Sequence, residues 1–145
     1  MRRITTQMHG VADYVTSVSL ITAPMLIADN KRGIETTLPM MLGAGTLVSS
    51  LLTDYELGAA KVIKMPVHLG IDIASGLLLA ASPWIFGFNK KVWVPHVAIG
   101  LMEIAIALTT ETEPYQDTYI DEEDLMDEMD DLSIEFDELV DELEG

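Results

Sequence analysis

Two histidines lie inside apolar stretches of this chain, each with an acid four residues downstream: His9 with Asp13 and His68 with Asp72. A spacing of four puts both side chains on one helical face, within hydrogen-bonding reach. A third histidine, His96, precedes Glu103 by seven residues, two turns along one face. Three kinds of chemistry suit such groups. Hydrogen bonds between helices would fix their register, at roughly 0.6 to 2 kcal/mol each. Buried carboxylates and imidazoles can also carry protons or cations through an assembly of several copies. Two imidazoles and two carboxylates brought together suit Zn²⁺ or Fe²⁺, and two facing imidazoles can ligate haem. The packing role is the leading expectation, because nothing in the spacing requires a ligand.

The acids need compensation wherever they lie. A carboxylate at the middle of a membrane helix costs roughly 2.5 to 3.5 kcal/mol on insertion scales. No Lys or Arg falls within the apolar segments. Histidine, backbone N–H groups or protonation are the local options, and for Glu103 a protonated acid bonded to a neighbouring helix is favoured over catalysis. A nucleotide loop, a nucleophile motif and a zinc signature are absent, so no catalytic residue or metal ligand is assigned and an enzyme is not expected. No cofactor is predicted, although haem or a divalent metal remains an alternative. Cysteine is also absent, which removes disulfide and thiolate chemistry.

The elements that hold these groups are duplicated. His9, Asp13 and Pro24 recur as His68, Asp72 and Pro83 at an offset of 59. Further along each unit, Gly43, Thr53, Asp54 and Glu56 recur as Gly100, Thr110, Glu111 and Glu113 at an offset of 57. The two-residue change fits a loop. Four apolar spans follow: about Met8 to Ala28, Leu38 to Leu52, Val67 to Phe88 and Val92 to Leu108. The third has 22 residues, enough to cross a hydrocarbon core of roughly 30 Å. Arg2 and Arg3 ahead of the first span resemble a signal peptide, but the matching mid-chain segment argues against that reading.

Pro39, Pro66 and Pro95 are expected in the first turns of helices, where the missing N–H costs little. Pro24 and Pro83 fall late in their spans and should bend or end them. Gly43, Gly45 and Gly100 read as close-packing positions. Tyr14 and Tyr55 read as anchors at the membrane surface, and the nine methionines as core filling. Each unit holds two spans, so the copies should share one orientation about an axis along the membrane normal.

Within the second unit, Ser82-Pro83-Trp84-Ile85-Phe86-Gly87-Phe88 resembles the signature of the SPW-repeat family of small integral membrane proteins. The resemblance covers about residues 8–113, including His9-Gly10, Asp13-Tyr14 and Thr53 to Gly58. It implies two transmembrane helices per repeat and carries no established activity. Ser82, Pro83, Trp84 and Gly87 are its motif positions here. The first copy departs from the pattern, with Ala23-Pro24-Met25 in place of Ser-Pro-Trp.

Charge divides the chain. From Glu111 onward there are 17 acids and no Lys or Arg, whereas residues 1–110 carry eight basic and seven acidic side chains. In the tail, Leu125, Met129, Leu132, Phe136, Leu139 and Leu143 are spaced 4, 3, 4, 3 and 4, a heptad seam of nearly three repeats. Acids repel along it, so the expected behaviour is a helix that forms on docking to a basic protein partner or by self-association. The expected architecture is therefore all-α: a four-helix membrane bundle over 1–113 (repeats about 8–56 and 67–113) and an acidic tail over 114–145. Both termini share one side, with the cytoplasmic side weakly favoured. Partners are the lipid bilayer, further copies of the chain and a basic protein, with no nucleic acid. The expected function is a noncatalytic membrane or assembly module with an acidic partner-binding tail. The alternatives are an oligomeric proton or cation conductor using the His/Asp pairs, and a metal- or haem-binding membrane protein.

Overall fold

A computed structural model of the chain describes residues 4–27, 30–114 and 129. Among the described residues it has four named helices, α1 (Thr6–Ile27), α2 (Ile34–Leu52), α3 (Met65–Ile85) and α4 (Val94–Thr109). The fold is all-α, as expected. The chain divides into Met1–Tyr115, which holds all four helices, and Gln116–Gly145. Of the tail seam, Leu125, Leu132, Phe136, Leu139 and Leu143 lie outside the described residues, and Met129 is exposed.

Helices α1 and α2 form one hairpin and α3 and α4 a second. Glycine sets how closely each pair approaches. A Cβ added at Gly43 would stand 2.9 Å from the Ser17 carbonyl oxygen, and one at Gly100 would strike the Gly76 carbonyl. Gly43 and Gly100 are repeat equivalents, so the two hairpins cross at the same level. Gly45 differs from the expectation, because a Cβ there meets open space.

At one end of the bundle the hairpins close on each other. The Ile4 N–H donates to the Thr109 carbonyl at 3.0 Å and the Glu111 N–H to the Ile4 carbonyl at 2.9 Å. Repeat equivalents make the same pair of bonds: Ile63 N–H to Leu52 at 2.9 Å, and Asp54 N–H to Ile63 at 2.7 Å. The start of each repeat thus joins the end of the other. This exchange gives the body its approximate two-fold symmetry.

The prolines act through the carbonyls they leave unpaired. Helix α2 begins at Ile34, so Pro39 lies inside it rather than in its first turn. Proline has no N–H for the carbonyl four residues back. The freed Glu35 carbonyl instead accepts from His96 Nε2–H of α4 at 3.0 Å. Pro83 likewise releases the Leu79 carbonyl, which accepts from the Ser82 hydroxyl at 2.7 Å. After Pro83 the helix runs only to Ile85, and Gly87 takes a left-handed φ of 71° to turn the chain. Pro66 and Pro95 stand in the first turns of α3 and α4.

Candidate functional site

The first turns of α1 and α3 carry His9 and His68, and one turn further in stand Asp13 and Asp72. All four side chains are buried, with residue exposures of 1, 0, 8 and 4 % respectively. The repeat symmetry brings them to one point. His68 Nε2 lies 2.8 Å from Asp13 Oδ2, and His9 Nε2 lies 3.1 Å from Asp72 Oδ2. The contacts within each helix are slightly longer, at 3.3 Å for His9 with Asp13 and 3.2 Å for His68 with Asp72. Each histidine thus pairs most closely with the other repeat's acid. The two rings meet edge to face, their Nε2 atoms 3.3 Å apart.

Two threonines determine which ring nitrogen carries the proton. Thr53 donates its hydroxyl hydrogen to the Ser49 carbonyl at 2.7 Å, and Thr110 donates to the Ile106 carbonyl at the same distance. Each Thr oxygen is 3.0 Å from a histidine Nδ1, His68 for Thr53 and His9 for Thr110. A hydroxyl has one hydrogen, so each Nδ1–H must donate to its threonine. Each Nε2 then faces a carboxylate oxygen of the other repeat, which can only accept, and the Nε2 of the other ring.

Symmetry fails around the acids. Ser50 Oγ donates to Asp13 Oδ2 at 2.8 Å. Its repeat equivalent beside Asp72 is Ala107, which has no hydroxyl, and Asp72 Oδ1 is buried without a hydrogen-bond partner. At the next equivalent pair Thr46 is matched by Glu103, whose buried Oε1 is also unpartnered. A cavity of about 10 Å³ lies between these groups, bounded by His9, Asp13, Thr46, Asp72 and Glu103. Glu103 therefore belongs to the edge of the cluster.

His96 does not join the cluster. It is at the opposite end of the bundle, packed on Phe88 with ring centroids 4.9 Å apart, and its Nε2–H is committed to Glu35. There it borders a larger, mainly apolar cavity of about 510 Å³, together with Pro24, Glu35, Leu79 and Lys91. Lys91 Nζ stands 3.4 Å from Glu35 Oε1 at this end. The motif residues Ser82 and Pro83 are buried in the helix, while Trp84 is exposed beside Trp93, with centroids 6.2 Å apart. They lie outside the cluster.

Tyr55 corrects the surface-anchor expectation. Its ring is buried and stacked on His68, with centroids 6.1 Å apart and planes 26° from parallel. Burial, acting before the nearby Tyr14 and Asp13, pushes its phenol above the ordinary range. A Cβ on Gly10 would strike this ring, so Gly10 makes room for it. Tyr14 is half-buried and donates to the Leu57 carbonyl at 2.9 Å. Thr53, Thr110 and Ser50 are the residues that reasoning on His/Asp spacing missed. The 57-residue offset did contain the signal, because it pairs Thr53 with Thr110.

Four donor atoms, one each from His9, Asp13, His68 and Asp72, lie within 4.8 Å of one another. Asp13 and Asp72 fill the space that a porphyrin between the two imidazoles would need, so the geometry suits small ions or protons rather than haem. No curated protein and no solved structure matches this sequence. A family model does match, that of the SPW repeat domain, over residues 7–110. These residues include both His/Asp pairs, both threonines and the Ser82-Pro83-Trp84 motif, and the chain belongs to the SPW repeat family.

Proposed function

We propose that the chain is a small four-span integral membrane protein, a noncatalytic assembly module whose two hairpins are clamped by the crossed His–Asp pairs and whose acidic tail binds a basic partner. The supporting observation is an inverted distribution of polarity. Among the described residues, fifteen buried side chains are polar or charged and eight are hydrophobic. Along α1 the buried residues are Thr6, His9, Gly10, Asp13, Thr16, Ser17 and Leu20, while Met8, Val11, Val15 and Val18 are exposed. A water-soluble bundle arranges these faces the other way.

Hydroxyls on the outside follow the same logic. Ser19, Thr22 and Thr109 are exposed, and each donates to its own helix four residues back, at 2.7 Å. That satisfies a donor where lipid offers no acceptor. Length and composition support α3 most directly, since Met65–Ile85 is long and apolar enough to cross a membrane. Helix α4 is apolar but shorter, at 16 residues.

A clamp fits the cluster better than a conduit does. The adjacent cavity of about 10 Å³ has room for about one water molecule, less than a hydrated route needs. Single cysteines in a cysteine-free chain test the topology. With the protein in sealed vesicles, an impermeant thiol reagent should label Asp54→Cys from one side and Asn89→Cys only from the other. Labelling of both from the same side would reject the four-span reading.

A further inference from the structure

We propose that His9, Asp13, His68 and Asp72 form a tetrahedral site for a divalent transition-metal ion of the zinc type, bound through both Nε2 atoms and one oxygen of each aspartate. The inference deepens the proposed clamp and rests on its crossed pairing, with a metal ion as the clamp's centre.

Donor chemistry is the first argument. With each Nδ1–H donating to Thr53 or Thr110, Nε2 is the ring atom left to bind a metal, and two Nε2 atoms and two carboxylate oxygens converge. Acceptors gathered in a buried site repel unless a positive charge lies among them. Protons on both Nε2 atoms would make two imidazolium ions whose Nε2 atoms stand 3.3 Å apart. One divalent cation neutralises both carboxylates and binds both lone pairs. Nitrogen and oxygen donors in this set suit zinc.

Spacing is the second argument. Ligands about 2.0 to 2.1 Å from a tetrahedral ion stand roughly 3.3 Å from each other. Five of the six donor separations here are 2.8, 3.1, 3.2, 3.3 and 3.3 Å. A histidine that binds metal through one nitrogen characteristically donates the other N–H to a fixed acceptor. Thr53 and Thr110 fill that role on the two rings at 3.0 Å. Ser50 holds the coordinating Oδ2 of Asp13.

Full-length protein in detergent, stripped with a chelator, can be titrated with Co²⁺ and then with Zn²⁺. The expected result is the intense visible absorption of tetrahedral Co²⁺, saturating at one ion per chain and displaced by Zn²⁺. Thr53→Val and Thr110→Val should each weaken binding by about 10- to 100-fold while leaving all four ligands in place. Absence of a saturable band in wild-type protein overturns the site without needing any variant. An unchanged band in a His9→Asn, His68→Asn double variant overturns it as well. If Asp13→Asn lowers the melting temperature of chelator-treated protein and wild type binds no Co²⁺, the metal is rejected and the proton-held clamp stands. If wild type binds no Co²⁺ and Asp13→Asn leaves the melting temperature unchanged, both readings fall.

Discussion

At the level of single residues, a side chain's meaning here depends on which backbone group it completes. Ser82 illustrates this. Its hydroxyl takes the Leu79 carbonyl that Pro83 cannot bond, which gives the Ser-Pro pair a local physical purpose. Ala23 precedes Pro24 in the first repeat and has no hydroxyl for the equivalent Leu20 carbonyl. Ser82→Ala should therefore destabilise the protein by about 1 to 3 kcal/mol, the cost of leaving a buried acceptor unpaired, measured by reversible unfolding in detergent. A loss below about 0.3 kcal/mol would show that the carbonyl finds another donor. His96 is the same kind of case, serving the carbonyl released by Pro39 from a different helix. Spacing alone grouped His96 with Glu103. The contact that separates them depends on where α2 begins, which Pro39 obscured.

For helices and their crossings, the repeat was the most informative part of the sequence. It gave the two hairpins, their common direction and the equivalence of Gly43 with Gly100. Direct contact distinguishes the glycines further. Gly100→Ala would drive a methyl group into the Gly76 backbone, and Gly43→Ala would place one 2.7 Å from Leu20 Cβ. Each should cost about 1 to 3 kcal/mol by forcing its hairpin apart. Gly45→Ala meets no neighbour and should be neutral or stabilising by up to about 1 kcal/mol, since alanine is the better helix former. Thermal unfolding of the three variants in one detergent checks the order. Equal losses at all three positions would place the crossings elsewhere. Sequence could not separate these glycines, because the residue type is the same whether it faces an adjacent helix or faces outward.

Over the whole molecule, polarity and charge are divided between distinct regions. The helical body places its polar side chains inward and its large aliphatic ones outward, and its clustered exposed cations lie beyond the apolar helix faces, as with Lys31, Arg32, Lys90, Lys91, Lys61 and Lys64. The tail carries the excess negative charge. Its acids repel at i,i+4 by roughly 0.2 to 0.5 kcal/mol per pair, so relieving the charge should favour the helix that the heptad seam describes. A peptide of residues 114–145 should gain helical circular dichroism between pH 7 and pH 4, because its carboxylates become protonated across that fall. A peptide with no helical signal at pH 4 would remove the inducible helix from the proposal.

The all-α class, the two tandem hairpins and the family were legible along the chain. These follow from periodicity and duplication, which operate along the chain and are visible in one dimension. It took the folded chain to show that His9 pairs with Asp72 and His68 with Asp13, that Thr53 and Thr110 accept from the histidine Nδ1 atoms, that Tyr55 is buried against His68, and that His96 lies apart. Each of those facts joins residues from different helices. Their distances depend on how closely glycine lets the two helices of each hairpin approach and on the exchange of chain ends between repeats. Local spacing contains neither quantity.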